Sequence, residues 1–496
     1  MRIRYGAAST EKTLGALPVV AGFCRRLDIA GIIDRAAPVR SVAYATHGQV
    51  IEALIANRLT SPAPMVHVGA WARQFAVGYL LGLDPDVLND DRIARALDAL
   101  APVLEQVTGS VGAAAIGAYG VDISQLHWDM TSVSLYGDYA AREEGFPAPR
   151  FGHPKDRRPG LKQIQAGVAT AADGAVPVFW QPYSGGAGEV SQVVGAMEAL
   201  RRLAGPRRFL LVGDSKLLSY PNIAAMIGAK VTFLAPASKS FVPAEVLAGC
   251  DYEAASPVRY VAQRDMNRPA DQRGQYRVVE GTTTITGPRK TKDPSFTLRR
   301  VFVHSSARAG AAATARAKKL DRARDDLGRL CRGLGSRHYP TAEAVTTRVN
   351  TIARERRVGD YLRTTIGTDH NKRPTLDWHF DQAATDAEAA TDGWYALLTN
   401  LPASITAGQV LARYKNQPGA SERRYHDFKG PLAVAPMFPH TNCLYAGRPA
   451  KPAAGLIFNA LATLRLRTSS TPEIPQPDPL QQRLLDLLKI DPRRTS

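Results

Sequence analysis

The stretch LHWDMTS, residues 126–132, alternates: Leu126, Trp128 and Met130 face one way, His127, Asp129 and Thr131 the other. A period of two predicts a β-strand. Downstream, LKQIQAGVAT and VPVFWQPY flank Ala171-Ala172-Asp173-Gly174-Ala175, a turn with the Asp-Gly hairpin signal. A helix follows, with Val190, Val193, Met197 and Leu200 on one face. RFLLVGDSK then gives a short continuous apolar run of the kind buried inside a sheet. YPNIAAMIGAK predicts another helix and VTFLAP another strand. Strand, hairpin, helix, strand, helix, strand in that order predicts an α/β sheet, antiparallel first and parallel after.

Upstream, residues 14–107 read as helices. GQVIEALIANRL pairs Val50 with Leu54 and Ile51 with Ile55, and LNDDRIARALDAL offers Asn89 as N-cap before Ile93, Leu97 and Leu100. Further along, RYVAQRD, QYRVVEG and LRRVFVHS read as strands. Two basic helices are expected at 310–333 and 341–357. GWYALLTN resumes the α/β style, and a helix with Val410, Leu411 and Tyr414 is broken at Pro418-Gly419 and restarts at SERRYHDFKG.

The 496 residues are 45% hydrophobic and 22% charged, a globular balance that excludes a fibrous or wholly disordered chain. The formal net charge is +18. Most of it lies between Arg259 and Arg373, where 26 Lys and Arg face 11 Asp and Glu. Residues 1–100 hold 11 basic against 9 acidic side chains, so the surplus is local and predicts a nucleic-acid-facing module. Part of it, RAKKLDRARDDLGRL, alternates in sign as a solvated helical face does. Cys24, Cys250, Cys331 and Cys443 are far apart and form no CxxC pair, which argues against a zinc ribbon and a disulfide framework. No apolar run approaches the roughly 20 residues of a membrane span, and the start MRIRYGAASTEKTLG lacks a signal-peptide core. A cytoplasmic protein with no membrane partner is expected.

Three carboxylates draw attention. Asp129 sits amid a strand, where an acid is costly unless paired or metal-bound; Asp214 ends a second strand; Glu422 opens a helix whose Glu422, His426 and Lys429 share a face. Each has a structural use open to it: a salt bridge, a helix cap and an arginine partner respectively. Together they suit Mg²⁺, which takes hard oxygen ligands and serves phosphodiester chemistry in pairs. His127 and His426 do not suit Mg²⁺ and read as structural or phosphate-near. Trp394 reads as a core residue, with stacking on a displaced base as its other use.

At these residues the chain resembles bacterial insertion-sequence transposases of the DDE type. Within them it resembles the cut-and-paste, IS-four-like group, with an RNase H-like core and a β-rich insertion before the catalytic Glu. LNDDRIARALDAL resembles the end of one subgroup's N-terminal domain. LHWDMTSVSLYG, RPGLKQIQAGV, FLLVGDSKLLSYPN, DGWYALLTN and YKNQPGASERRYHDFKGPLAVAPMF resemble its blocks, in order. The resemblance implies Asp129, Asp214 and Glu422 as the catalytic and metal-binding acids. Tyr414 and Lys429 match the Tyr and Lys of the Tyr-Arg-Glu-Lys signature. Gln417 stands where that signature has Arg, and Glu422 lies one residue late. DNA contacts are expected from Lys429, Tyr414, Arg423, Arg424, Arg299, Arg300, Lys318 and Lys319.

The organisation implied is a helical N-terminal domain (1–110), the first part of an RNase H-like core (111–235) and a basic β-rich and helical insertion (236–390). The second part of the core (391–467) and a flexible tail (468–496) follow. The expected activity is binding of terminal inverted repeats in double-stranded DNA, then cleavage and strand transfer into target DNA. Two Mg²⁺ ions, replaceable by Mn²⁺, serve it, and a homodimer forms on paired ends. The region TNCLYAGRPAKPAAGL is Pro- and Gly-rich where relatives have an apolar helix, and 468–480 is Ser-, Thr- and Pro-rich. This divergent end gives the alternative: a catalytically decayed or domesticated copy that binds DNA without cutting it.

Overall fold

The computed structural model describes residues 11–135, 144–155, 158–262, 265–289, 292–416, 458, 461–467, 474 and 476–492. The chain divides into two compact units, Met1–Phe209 with Gln417–Ser496, and Leu210–Asn416.

The first unit begins with β1 (Glu11–Thr13), then helices α1 (Leu17–Arg26), α2 (Ile29–Ala36), α3 (His47–Thr60), α4 (Val68–Gln74), α5 (Val77–Leu81), α6 (Asp90–Leu100) and α7 (Leu104–Tyr119). Local chemistry sets these boundaries. Thr46 and Gln49 form a reciprocal capping box on α3, and the Asn89 side chain accepts from Arg92 N at 2.8 Å to start α6. The apolar stripes meet in one core that includes Leu17, Ile33, Val50, Leu80 and Ile93. The helices run beyond the expected residue 110 to Tyr119. The region is also not wholly helical, because the backbone of β1 pairs antiparallel with β13 (Arg465–Arg467). The stretch Asp90–Tyr119 passes, by length and composition alone, as able to cross a membrane. Here Ile93, Ala96 and Val107 of that stretch are buried in the helical core.

After α7 come β2 (Gln125–Leu135), β3 (Lys162–Ala171) and β4 (Pro177–Ser184), an antiparallel meander, and then α8 (Glu189–Ala204). Leu126, Trp128 and Met130 are buried as the alternation predicts. His127 and Thr131 are buried too, so this part of β2 is covered on both faces. The tail differs from expectation. Residues Pro479–Leu487 form a helix with an Asp478–Gln481 capping box, and Leu485 and Ile490 pack with Val19 and Leu461. Those apolar contacts outweigh the polar composition just before them.

The second unit contains β5 (Leu210–Val212), α9 (Tyr220–Gly228), β6 (Thr232–Pro236), α10 (Ala244–Ala248), β7 (Ser256–Val258), β8 (Tyr276–Ile285) and β9 (Phe296–Ser305). It continues with α11 (Ser306–Arg332), α12 (Ala342–Arg356), β10 (Leu362–Thr368), β11 (Pro374–Phe380), α13 (Gln382–Ala389), β12 (Trp394–Thr399) and α14 (Ala407–Lys415). Six strands lie in the order β5-β6-β12-β9-β8-β7. β5 and β6 are parallel, as expected, and the remaining pairs are antiparallel. The strands expected inside the insertion are thus part of this mixed sheet: β9 pairs with β12 through six residues, from Trp394↔His304 to Thr399↔Arg299. The described residues of RYVAQRD, 259–262 and 265, lie in no strand, and pairing ends at Val258. Residues 306–389 have a core of their own, with Leu327, Leu330, Val345, Ile352 and Tyr361 buried, covered by the hairpin β10–β11.

This module is rooted at Gly393, whose φ is +79°. A Cβ there would lie 2.7 Å from His304 Nε2 and 2.8 Å from the Ser305 carbonyl, so only glycine fits. Beside it, Arg316 of α11 forms a two-pronged ion pair with Asp392, both largely buried.

Candidate active-site and DNA-contact residues

Asp129 lies mid-strand on β2, opposite Val168 of β3. Its Oδ1 accepts from Met130 N at 2.8 Å. The Lys155 ammonium stands 3.6 Å from Asp129 Oδ1 and 3.4 Å from Glu189 Oε1, at the start of α8. Lys155 is tied in place: its backbone N donates to Ser132 Oγ at 2.9 Å, and its Nζ also donates to the Met130 carbonyl. One cation thereby neutralises two carboxylates, each about four-fifths buried, with side-chain exposures of 19% and 20%. This offsets the cost of an acid inside a sheet. Lys155 and Glu189 were not singled out by sequence reasoning. The only signal was an acid in the first turn of α8, a position favoured by the helix dipole.

His127 is fully buried, and desolvation pushes its imidazole down to about 4, so it is neutral at physiological pH. Its Nε2 meets Gln125 Nε2 at 3.0 Å, a structural contact.

Asp214 follows β5 and Gly213 in the second unit. Its Oδ1 accepts from Lys216 N at 2.8 Å, capping the 3₁₀ turn Ser215–Leu217. The salt bridge open to Asp129 and the cap open to Asp214 are therefore both realised. A carboxylate offers about four acceptor positions, so neither use excludes a ligand role. Glu422, Arg423, Arg424, His426, Lys429 and Gln417 lie outside the described residues. Among the described residues, no three His, Cys, Asp or Glu side chains come together as a metal-ligand set.

Tyr414 of α14 packs beside Tyr395, ring centroids 6.5 Å apart. Trp394 is a core residue, edge-on to His304 at 5.1 Å, which removes the stacking alternative. Of the basic residues, Arg299 is spent on Glu280 and on the Pro402 and Ile405 carbonyls. Arg300 lies over the Phe302 ring at 4.6 Å. Lys319 donates to Tyr361 Oη at 2.6 Å and stands 3.4 Å from the Glu388 carboxylate. Lys318 is exposed. Arg299 and Lys319, both expected to face DNA, thus have acidic partners within the same unit.

Residues 9–105 match a family described as a domain of unknown function, DUF4277. No curated protein matches. Among solved structures, the chain is similar to a piggyBac transposase synaptic complex with hairpin DNA: 12% identity, 82% of this chain, 67% of that one, TM-score 0.35. It is also similar to a Mos1 transposase paired-end complex with left transposon end, at 11% identity, 39% of this chain, 60% of that one and TM-score 0.16. A pre-cleavage Mos1 transpososome gives 10% identity, the same coverages and TM-score 0.16. At these identities and scores, function rests on the chain's own residues.

Proposed function

We propose that the protein is a DNA transposase of the DDE type, built on an RNase H-like core, that binds the terminal inverted repeats of an insertion sequence and cuts and transfers its strands. Asp129, Asp214 and Glu422 supply the carboxylates of the reaction. The observation that carries this reading is the setting of the first two: Asp129 midway along the first strand of an antiparallel meander, and Asp214 two residues past the end of β5, a strand of a parallel pair. Within the described residues, the blocks LHWDMTS, LKQIQAGV, FLLVGDSK and GWYALLTN that resemble the transposase group lie on β2, β3, β5 and β12, in chain order. Most of the last block lies outside the described residues.

The donor chemistry fits Mg²⁺. Both acids offer hard oxygen atoms, and the ammonium of Lys155 beside Asp129 marks a place where positive charge is accommodated. Bound Mg²⁺ would supply Lewis-acid activation of the phosphodiester and neutralise developing charge. The chain's own contribution is to hold the acids in fixed orientation: Asp129 by the β2 ladder and its bond to Met130 N, Asp214 by the cap it forms. Lys429 and Tyr414 are assigned to DNA contact, and a homodimer to the paired-end state.

The test uses DNA from the two flanks of the gene, carrying matched inverted repeats, with Mg²⁺ or Mn²⁺. Asp129→Asn, Asp214→Asn and Glu422→Gln are each expected to lower cleavage by at least about 10³-fold while leaving end binding intact. Asp129→Asn keeps an oxygen for Met130 N, and circular dichroism and end binding check that the variant is folded. Undiminished cutting by Asp129→Asn overturns the assignment. Wild-type protein that binds ends and never cuts identifies the decayed, DNA-binding alternative.

A further inference from the structure

The basic stretch between Arg259 and Arg373 is less available than its composition suggests. Arg289 is paired with Asp293, Arg299 with Glu280, Arg316 with Asp392, Arg356 with Asp326 and Arg363 with Asp381. Among the described residues, exposed cations without an ion pair also stand on the helix shafts, Arg322 and Arg354 among them, but at one end of the 306–389 module two loops bring several together. There the α11–α12 connection meets the β10–β11 turn. Arg332, Arg337, Lys372 and Arg373 are all exposed, and among the described residues none of them makes an ion pair.

This end is built, not loose. The Tyr339 carbonyl accepts from Gly335 N at 3.0 Å, closing the connection. Gly335 has a φ of +77°, and a Cβ there would meet the Arg373 Cγ and Cδ at 3.9 Å, so the arginine stem lies along that loop. Across the turn, Asp369 is the nearby acid, and its Oδ1 accepts from Asn371 N at 2.9 Å and Arg373 N at 2.8 Å. That carboxylate fixes the turn and presents Lys372 and Arg373 outward. Neighbouring His338 and His370 are exposed as well. No large exposed apolar side chain lies among them, so the patch lacks the anchors a membrane surface takes.

We propose that the two loops at this end, residues 333–341 and 369–373, grip the sugar–phosphate backbone of duplex DNA. The proposal rests on the DNA-binding part of the function above and names where in the basic stretch that contact is made. Several exposed cations that make no ion pair among the described residues suit phosphate, the one acid in the turn, Asp369, being engaged by backbone N–H groups, and each phosphate neutralised releases counterions. The contact positions DNA and carries no base specificity.

The test is fluorescence anisotropy of a labelled duplex of arbitrary sequence, titrated with full-length protein between about 50 and 200 mM salt. The variant Arg337→Gln/Lys372→Gln/Arg373→Gln is compared with a charge-matched variant on the helix shafts, Arg322→Gln/Arg348→Gln/Arg354→Gln. Circular dichroism confirms that both are folded. The loop variant is expected to flatten the slope of log K against log salt by about 2 to 3, and to bind roughly 100-fold more weakly near 150 mM. The shaft variant is expected to change the slope by less than about 1. Equal effects in the two variants, or an unchanged loop variant, overturn this inference and leave the transposase reading standing. Wild-type protein with no salt-dependent binding overturns both.

Discussion

Replacing Asp392 with Ala tests what holds the basic module to its sheet. The Arg316 side chain is 9% exposed and that of Asp392 14%, and the two meet through both terminal guanidinium nitrogens, Nη1 and Nη2. Truncating the acid leaves a buried guanidinium whose next carboxylate, on Glu388, stands 3.8 Å away. Breaking a buried pair costs about 3–5 kcal/mol, and Glu388 argues for the lower end. For a unit the size of Leu210–Asn416, each kcal/mol moves Tm by about 2–4 °C, so a drop of about 6–12 °C is expected. The penalty comes from the stranded charge, so Arg316→Met/Asp392→Leu is expected to regain most of it. Thermal melts by circular dichroism on the full chain measure all three proteins. A shift below about 2 °C for Asp392→Ala, or a double variant no better than the single, refutes the reasoning.

Lys155→Met removes the ammonium shared by Asp129 and Glu189. Because the Lys155 side chain is 43% exposed, water screens the pair, and the loss of stability is expected to stay within about 1–2 kcal/mol, most of it from the two carboxylates left without their cation. Mn²⁺ is expected to raise the Tm of Lys155→Met more than that of the wild type; equal shifts show that lysine and metal do not share these carboxylates. His304 lies against Tyr252 and Trp394, and burial pushes its imidazole below the usual range. The fold thus favours the neutral ring, and this stabilisation is complete above about pH 6.5. It is lost as pH falls, because the unfolded chain takes up the proton first. His304→Phe is expected to flatten the dependence of urea-unfolding stability on pH below that value, and an unaltered profile contradicts the assignment.

Much of the secondary structure was legible because it is encoded locally. Asn89 caps α6, α11 and α12 fall close to their expected bounds, and β5 and β6 are parallel. What escaped was non-local. Nothing in LRRVFVHS or GWYALLTN says that these strands are neighbours, so β-structure inside the main sheet read as an insertion. In the hairpin β10–β11, Leu376, Trp378 and Phe380 alternate toward the module's core, a period-two signal present in the sequence and passed over. The tail helix carried a readable capping box, Asp478 with Gln481, masked by the Ser- and Pro-rich residues before it. At the acids, residue type and strand position pointed to Asp129 and Asp214. The approach of Lys155 depends on a loop returning to β2 from 26 residues away, which no local pattern specifies.

The register of the sheet has a consequence for how this chain can change. His304 and Trp394 face each other across one rung of adjacent strands, and the whole segment between them departs and returns through that gap. Directly opposed residues of antiparallel strands lie about 5 Å apart, a span that a tight two-residue turn bridges. The segment can therefore be shortened, exchanged or removed without shifting any other strand. A lineage could remodel that basic module by insertion and deletion, while the pairing of β9 with β12 is inherited unaltered.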